Sequence, residues 1–125
     1  MSEHFSVAEL SCRCGCGYCA PSADLITLAE EIRAILGKPM IVHSCCRCAR
    51  HNAEVGGKKD SKHLTGHAMD FSVQGMSPAV VRAYILNAYA CRGQLSLLGG
   101  IGLYKWGVHI DIDKAADGHL RMWEG

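Results

Sequence analysis

"SKHLTGHAMDFSV", residues 61–73, sets His63, His67 and Asp70 close together and then alternates apolar with small or polar side chains. Met69, Phe71 and Val73 oppose Ala68, Asp70 and Ser72, the period of a half-buried strand. Gly66 takes backbone angles closed to other residues, so "LTGHA" can turn between a loop histidine and an inward-facing strand aspartate. Two readings stay open on spacing alone: polar loop decoration, or donors to a metal. A borderline-soft ion such as zinc accepts imidazole nitrogen and carboxylate oxygen, and a catalytic site keeps three protein ligands with water in the fourth position. A third donor must come from elsewhere, and "GVHIDID" (107–113) offers His109, Asp111 and Asp113 on one strand face.

Outward from this stretch, "SADLITLAEEIRAILGKP" (22–39) places Leu25, Leu28, Ala29, Ile32, Ile35 and Leu36 on one face. Ser22 caps it, Gly37 stops it and Pro39 breaks it, which predicts a helix. "PMIVHS" (39–44) reads as a short strand entering "CCRCARHNAEVGGKKD" (45–60), a polar loop with a Gly-Gly turn. "SPAVVRAYILNAYACRG" (77–93) predicts a second helix, with Ser77 as cap, Pro78 at its first position and Val81, Ile85 and Ala88 inside. "GGIGLY", "WGVHIDID" and "HLRMW" complete the chain as three short strands. The predicted fold class is α+β: a small antiparallel sheet with two helices packed on it.

The 125 residues suffice for one domain spanning 1–125, with residues 1–20 as a Cys/Gly-rich N-terminal loop. Hydrophobic residues make up 49% and charged ones 20%, which excludes a disordered chain. A net charge of +1 leaves no basic footprint for nucleic acid. No apolar run approaches the roughly 20 residues that span a bilayer. "MSEHFSVAEL" shows no secretory signal, so cytoplasmic synthesis is expected, with any export by another route.

Eight cysteines without such a signal point toward metal or free thiols. Cys12, Cys14, Cys16 and Cys19 crowd one loop, and Cys45, Cys46 and Cys48 another. Three states are open for them: a second, structural zinc where the loops meet, disulfides in an oxidising compartment, or free thiols. Cys91, alone in the second helix, is expected as a buried apolar residue.

"SKHLTGHAMD" resembles S-x-H-x-x-G-x-A-x-D, the metal signature of the zinc D-Ala-D-Ala carboxypeptidases and related peptidoglycan peptidases, whose core is shared with lysostaphin-like and hedgehog domains. "SCCRCARHNAEVGG" (44–57) is similar to the family's S-G-Y-R-x-x-x-x-N-x-x-V-G-G segment. "GGIGLYKWGVHIDID" (99–113) resembles G-G-x-G-x-Y-x-x-F-x-H-x-D, and "LRMW" its R-x-W ending. "FSVAELSC" (5–12) resembles the F-x-x-x-E-F-x-C start of single-domain members, so the likeness covers nearly the whole chain in order.

The resemblance implies a hedgehog/D,D-peptidase-like zinc fold with His63, Asp70 and His109 as ligands of one catalytic zinc. It implies hydrolysis of a peptide bond in a peptidoglycan stem by a metal-activated water, in a carboxypeptidase or an endolysin-type endopeptidase. Arg47, at the family's arginine, would hold a substrate carboxylate or polarise its carbonyl, because a guanidinium can grip carboxylate bidentately. Ser61 would cap the turn or hydrogen-bond in the cleft.

Relatives place an acidic residue or histidine two or three positions before the last ligand, but Gly107 and Trp106 stand there. Asp111 is the first choice for general base, and its rival role is to orient a ligand histidine. His67 is expected at the pocket rim, His43 as structural, Asp113 as solvated, and Tyr104 and Trp123 in the core. Cys45 and Cys46 replace the family's Gly and Tyr, which alters the substrate-side loop. The expected partners are peptidoglycan peptides, met by a monomer at the cell wall after phage-like release. The alternative function is a degenerate zinc module that binds wall peptides or a partner without cutting.

Overall fold

A computed structural model describes residues 1–125. Two long helices form where capping and apolar spacing coincide. α1 is a four-residue helix, Val7–Leu10, opened by a capping box of Ser6 and Glu9. α2, Ala23–Leu36, starts at Ser22, whose Oγ accepts from the Asp24 N–H, and ends at Gly37 in the left-handed conformation. It buries Leu25, Leu28, Ala29, Ile32 and Leu36. α4, Pro78–Arg92, starts at Ser77 and ends at Gly93, and buries Val81, Ile85 and Ala88.

Between them lie β1 (Ile41–Ser44), α3 (Ala49–Glu54), a 3-10 turn (Lys62–Thr65) and β2 (Ala68–Ser72). β3 (Gly100–Leu103), β4 (Val108–Asp111) and β5 (Arg121–Glu124) follow α4. The five strands form one sheet in the order β1-β2-β4-β3-β5.

Period-2 alternation sorts the sheet into two faces. Val42, Met69, Phe71, Ile101, Val108 and Ile110 point into one continuous core with Phe5, Leu10 and the apolar stripes of α2 and α4. Asp70, His109 and Asp111 alternate with these core residues and belong to the opposite face.

The α+β architecture is as predicted, and four local features differ. The sheet is mixed, because β5 runs parallel to β3. β4 is already paired on both sides, with β2 and β3. β5 takes the free edge beyond β3 and, like β3, runs antiparallel to β4. The polar 45–60 segment contains α3, a short helix whose N-cap is Cys48 and whose Asn52 is buried. The N-terminal stretch, expected as a loop, contributes α1 and buries Phe5 and Leu10. Cys91 is exposed rather than buried, since it falls on the solvent side of α4.

Candidate metal centre and cleft

Register brings the two strand donors together. Asp70 of β2 and His109 of β4 are direct antiparallel partners, and Ser44 of β1 pairs with Asp70 from the other side. The 3-10 turn then delivers His63, 4% exposed, over this pair. Ser61 caps that turn, its Oγ accepting from the His63 N–H at 3.3 Å. Gly66 closes it with φ of 72°, and a methyl group there would lie 2.2 Å from the Ala20 carbonyl oxygen. Only glycine satisfies both conditions.

Asp70 bridges the two histidines. Its Oδ2 lies 3.1 Å from His63 Nε2, and its Oδ1 lies 2.8 Å from His109 Nδ1. Each imidazole is pinned through its other nitrogen. His63 Nδ1 lies 2.8 Å from the Cys45 carbonyl oxygen, and His109 Nε2 lies 2.9 Å from Asp111 Oδ2. A carbonyl and a carboxylate only accept, so those two nitrogens carry the protons. The nitrogens that face Asp70 are then lone pairs directed at carboxylate oxygens. Such contacts are repulsive unless a cation, either a proton or a metal, lies between them.

The titration behaviour agrees. Burial pushes Asp70 up, but hydrogen bonds with His109 and His63 outweigh it and hold the carboxyl well below its usual range. Burial opposes charge on His109, and hydrogen bonds with Asp111 and Asp70 prevail, raising its pKa. Two imidazole nitrogens and a carboxylate, with their remote nitrogens fixed by acceptors, fit a zinc ion in donor chemistry and in outer support.

The centre opens into a cleft of about 480 Å³. Arg47 forms one wall, with Nη1 donating to Asn52 Oδ1 at 3.0 Å and Nη2 donating to Ser44 Oγ at 3.1 Å. Its nearest carboxylate, Asp70, is 4.0 Å away, and its buried Nε has no partner. The guanidinium thus hydrogen-bonds neutral acceptors, with Asp70 as an ion-pair partner at 4.0 Å. Asn52 is fixed in turn by its Nδ2 donating to the Lys58 carbonyl oxygen at 2.8 Å. A Cβ on Gly57 would meet Asn52 Oδ1 at 2.1 Å, so the Gly-Gly turn makes room for this brace.

The other wall is aromatic. Tyr104 and Trp106 stack with centroids 5.0 Å apart, Trp123 Nε1 donates to the Tyr104 hydroxyl at 2.7 Å, and the Trp123 ring lies 5.2 Å from His109. Four cationic side chains (Arg47, Lys58, Lys62, Arg121) line the cleft against two carboxylates, Asp60 and Asp70. Arg121 is paired with Asp111 and Lys62 with Asp113, which leaves Arg47 and Lys58 to meet a ligand beside Asp60 and Asp70.

A family model described as Peptidase M15 matches residues 3–111. The chain belongs to the peptidase M15 family. No curated protein matches it. M15 peptidases are zinc metallopeptidases, and in this M15 chain the donors of His63, Asp70 and His109 lie within 4.8 Å of one another.

The remaining predicted residues sort clearly. Asp111 is 0% exposed and does not line the M15 cleft. Its carboxylate accepts from Arg121 Nη1 and Nη2 at 2.8 and 3.0 Å, from the Asp113 N–H at 3.1 Å and from His109 Nε2. A general base needs a free lone pair facing water, and this carboxylate has neither the lone pair nor the water.

His67 lies outside the donor set, with Nδ1 3.1 Å from Asp113 Oδ1. Asp113 also meets Lys62 Nζ at 3.5 Å, so it is an anchor rather than a free solvated group. His43 Nε2 is 2.7 Å from Ser72 Oγ at the sheet edge. Tyr104 and Trp123, expected in the core, face the cleft instead, because β5 lies beyond β3 and turns Trp123 toward His109.

Arg121, Asn52, Gly100 and Gly102 were legible only as letters of family motifs. One independent signal was present: glycine at alternate positions of a strand. Gly100 lies between Asp111 and Arg121 across β4-β3-β5, and Gly102 lies between His109 and Trp123. A Cβ on Gly100 would meet Arg121 Nη1 at 2.7 Å, and one on Gly102 would meet the Trp123 ring at 2.5 Å. The bare backbone of β3 lets both β5 side chains cross it to reach β4.

No helix is long and apolar enough to cross a membrane. All eight cysteines are free, and the sulfurs of Cys12, Cys14, Cys16 and Cys48 gather in one group that excludes Cys19, Cys45 and Cys46.

Proposed function

We propose that this chain hydrolyses a peptide bond in peptidoglycan stem peptides, next to a D-alanine carboxylate that Arg47 holds. The observation that carries the reading is the convergence of His63 Nε2, Asp70 and His109 Nδ1 at the floor of a cleft whose wall holds the Arg47 guanidinium, hydrogen-bonded only to neutral acceptors. Zinc bound by this set supplies Lewis acidity toward the scissile carbonyl and toward water.

The protein's own groups do the rest. The Cys45 carbonyl and Asp111 fix the tautomers of His63 and His109, so both present a lone pair to the centre. Asp111 is therefore a positioning residue, locked by Arg121. Arg47 binds the substrate carboxylate through charge-assisted hydrogen bonds and orients the peptide across the centre. Tyr104, Trp106 and Trp123 pack against the peptide and exclude water from that side. Asp60 is the one carboxylate at the cleft beside Asp70 and is assigned as proton acceptor.

Purified muropeptides with and without a free terminal carboxylate test the reading. Zinc-dependent release of D-Ala marks a carboxypeptidase, and opening of cross-links marks an endopeptidase. Asp60→Asn is expected to lower kcat by about 10²–10⁴-fold with zinc content unchanged. A chain that binds zinc and wall peptides but yields neither product is a binding module, and the hydrolase reading fails.

A further inference from the structure

We propose that Cys12, Cys14, Cys16 and Cys48 form a tetrahedral thiolate site for one structural zinc ion, separate from the cleft. The four sulfurs lie within 4.8 Å of one another. Cys12 Sγ is 3.5 Å from Cys14 Sγ and 3.7 Å from Cys48 Sγ, and the Cys14–Cys48 separation is also 3.7 Å. Zinc–sulfur bonds of about 2.3 Å in a tetrahedron put sulfurs about 3.8 Å apart, close to these separations. A disulfide needs about 2.05 Å, and no pair approaches it.

The surroundings suit anionic sulfur. The Cys48 N–H donates to Cys12 Sγ and the His51 N–H donates to Cys48 Sγ, both at 3.4 Å.

The backbone is shaped for the same end. Gly15 and Gly17 have φ of 82° and 88°, so the C-x-C-x-C run coils tightly instead of extending its thiols apart. The Cys12 N–H closes this coil on the Tyr18 carbonyl at 2.8 Å. Cys48 arrives from 36 residues further along, as the N-cap of α3. The site therefore ties the N-terminal loop to the segment that carries Arg47 and the Cys45 carbonyl. The Arg47 N–H also donates to the His63 carbonyl at 3.1 Å. Zinc at the cysteines would hold the cleft's arginine and its His63 acceptor in register from behind. The remaining cysteines have other surroundings: Cys45 and Cys46 are buried in the core, and Cys19 Sγ faces the Val7 carbonyl at 3.9 Å.

Metal counting on the full chain separates this site from the cleft. Wild type loaded with zinc and freed of excess is expected to hold about two ions, with His63→Ala and Cys48→Ser at about one each. A Cys48→Ser count equal to wild type, or a wild-type count of one that His63→Ala abolishes, overturns the proposal and leaves the cleft reading intact. Wild-type protein loaded with cobalt(II) covers the case in which Cys48→Ser does not fold. Intense near-ultraviolet thiolate-to-cobalt bands are expected, and weak visible bands alone overturn the site.

Alkylation gives a third readout, because Cys16 and Cys91 are both exposed. Zinc-loaded protein should modify Cys91 and spare Cys16, and chelation should expose Cys16. Equal rates at the two positions with zinc present, or disulfide-linked peptides among the four cysteines, overturn the proposal.

Discussion

At the scale of single residues, two charged side chains divide the labour of the cleft, and each makes a distinct kinetic prediction. Arg47 lines the cleft, with hydrogen bonds only to neutral acceptors. Arg47→Lys keeps the charge and loses the planar fork, so kcat/KM should fall roughly 10–100-fold on peptides with a free carboxylate. Peptides with an amidated terminus should lose far less, and an equal loss on both would remove Arg47 from carboxylate binding. Asp111 acts behind the ligand. Asp111→Asn can turn an amide N–H toward His109 Nε2, which favours the tautomer with its proton facing the centre. Zinc affinity should drop about 10–100-fold, as measured against a chromophoric chelator, with KM little changed in zinc excess. Unchanged affinity would mean that Asp111 does not position His109. The sequence placed Asp111 on the correct strand face but could not separate base from brace. That distinction depends on Arg121, which arrives from a strand two places away in the sheet.

At the scale of elements, local signals reached as far as local physics does. Ser22 with Gly37, and Ser77 with Pro78 and Gly93, mark both long helices because caps and apolar spacing act within a few residues. The alternation in 68–73 and 107–113 showed two strands and the inward face of each. It could not show that β5 would join β3 in parallel, because where β5 can pair depends on β4 being flanked on both sides. The short α3 was hidden as well, since six residues capped by a cysteine carry almost no periodicity. For the same reason Tyr104 and Trp123 read as core: their cleft position depends on where β5 lies. β3 makes this testable. Gly102→Ala places a methyl group 2.5 Å from the Trp123 ring, which must move. Trp123 fluorescence should shift and kcat/KM should fall, with a stability loss of about 1–3 kcal/mol. Gly118→Ala, at φ 82° with nothing within 4 Å, is the control for glycine strain alone. If the two variants behave alike, steric clearance over β3 is not what seats the tryptophan.

At the scale of the whole molecule, the cleft centre ties the 3-10 turn to two strands that the sheet and core already hold side by side. His63 comes from the 3-10 turn, Asp70 from β2 and His109 from β4, and the helices lie behind the opposite face of the sheet. A cation shared by these three donors binds only the native arrangement, which couples metal affinity to stability. Zinc at about 100 times its dissociation constant adds about 2.7 kcal/mol per site. For a chain of 125 residues that is a rise in Tm on the order of 10 °C. Calorimetry with zinc and with chelator, on wild type and on Asp70→Asn, isolates the cleft's share. The comparison is made within each protein, so the loss of the Asp70 bridge to both histidines cancels from the difference. Wild type should show the larger zinc-induced shift, by about that amount when both are held at the same free zinc, about 100 times the wild-type cleft dissociation constant, where the variant cleft stays largely empty. Equal shifts in the two proteins would show that Asp70 takes no part in holding the metal, and would break the three-donor centre on which the hydrolase reading stands.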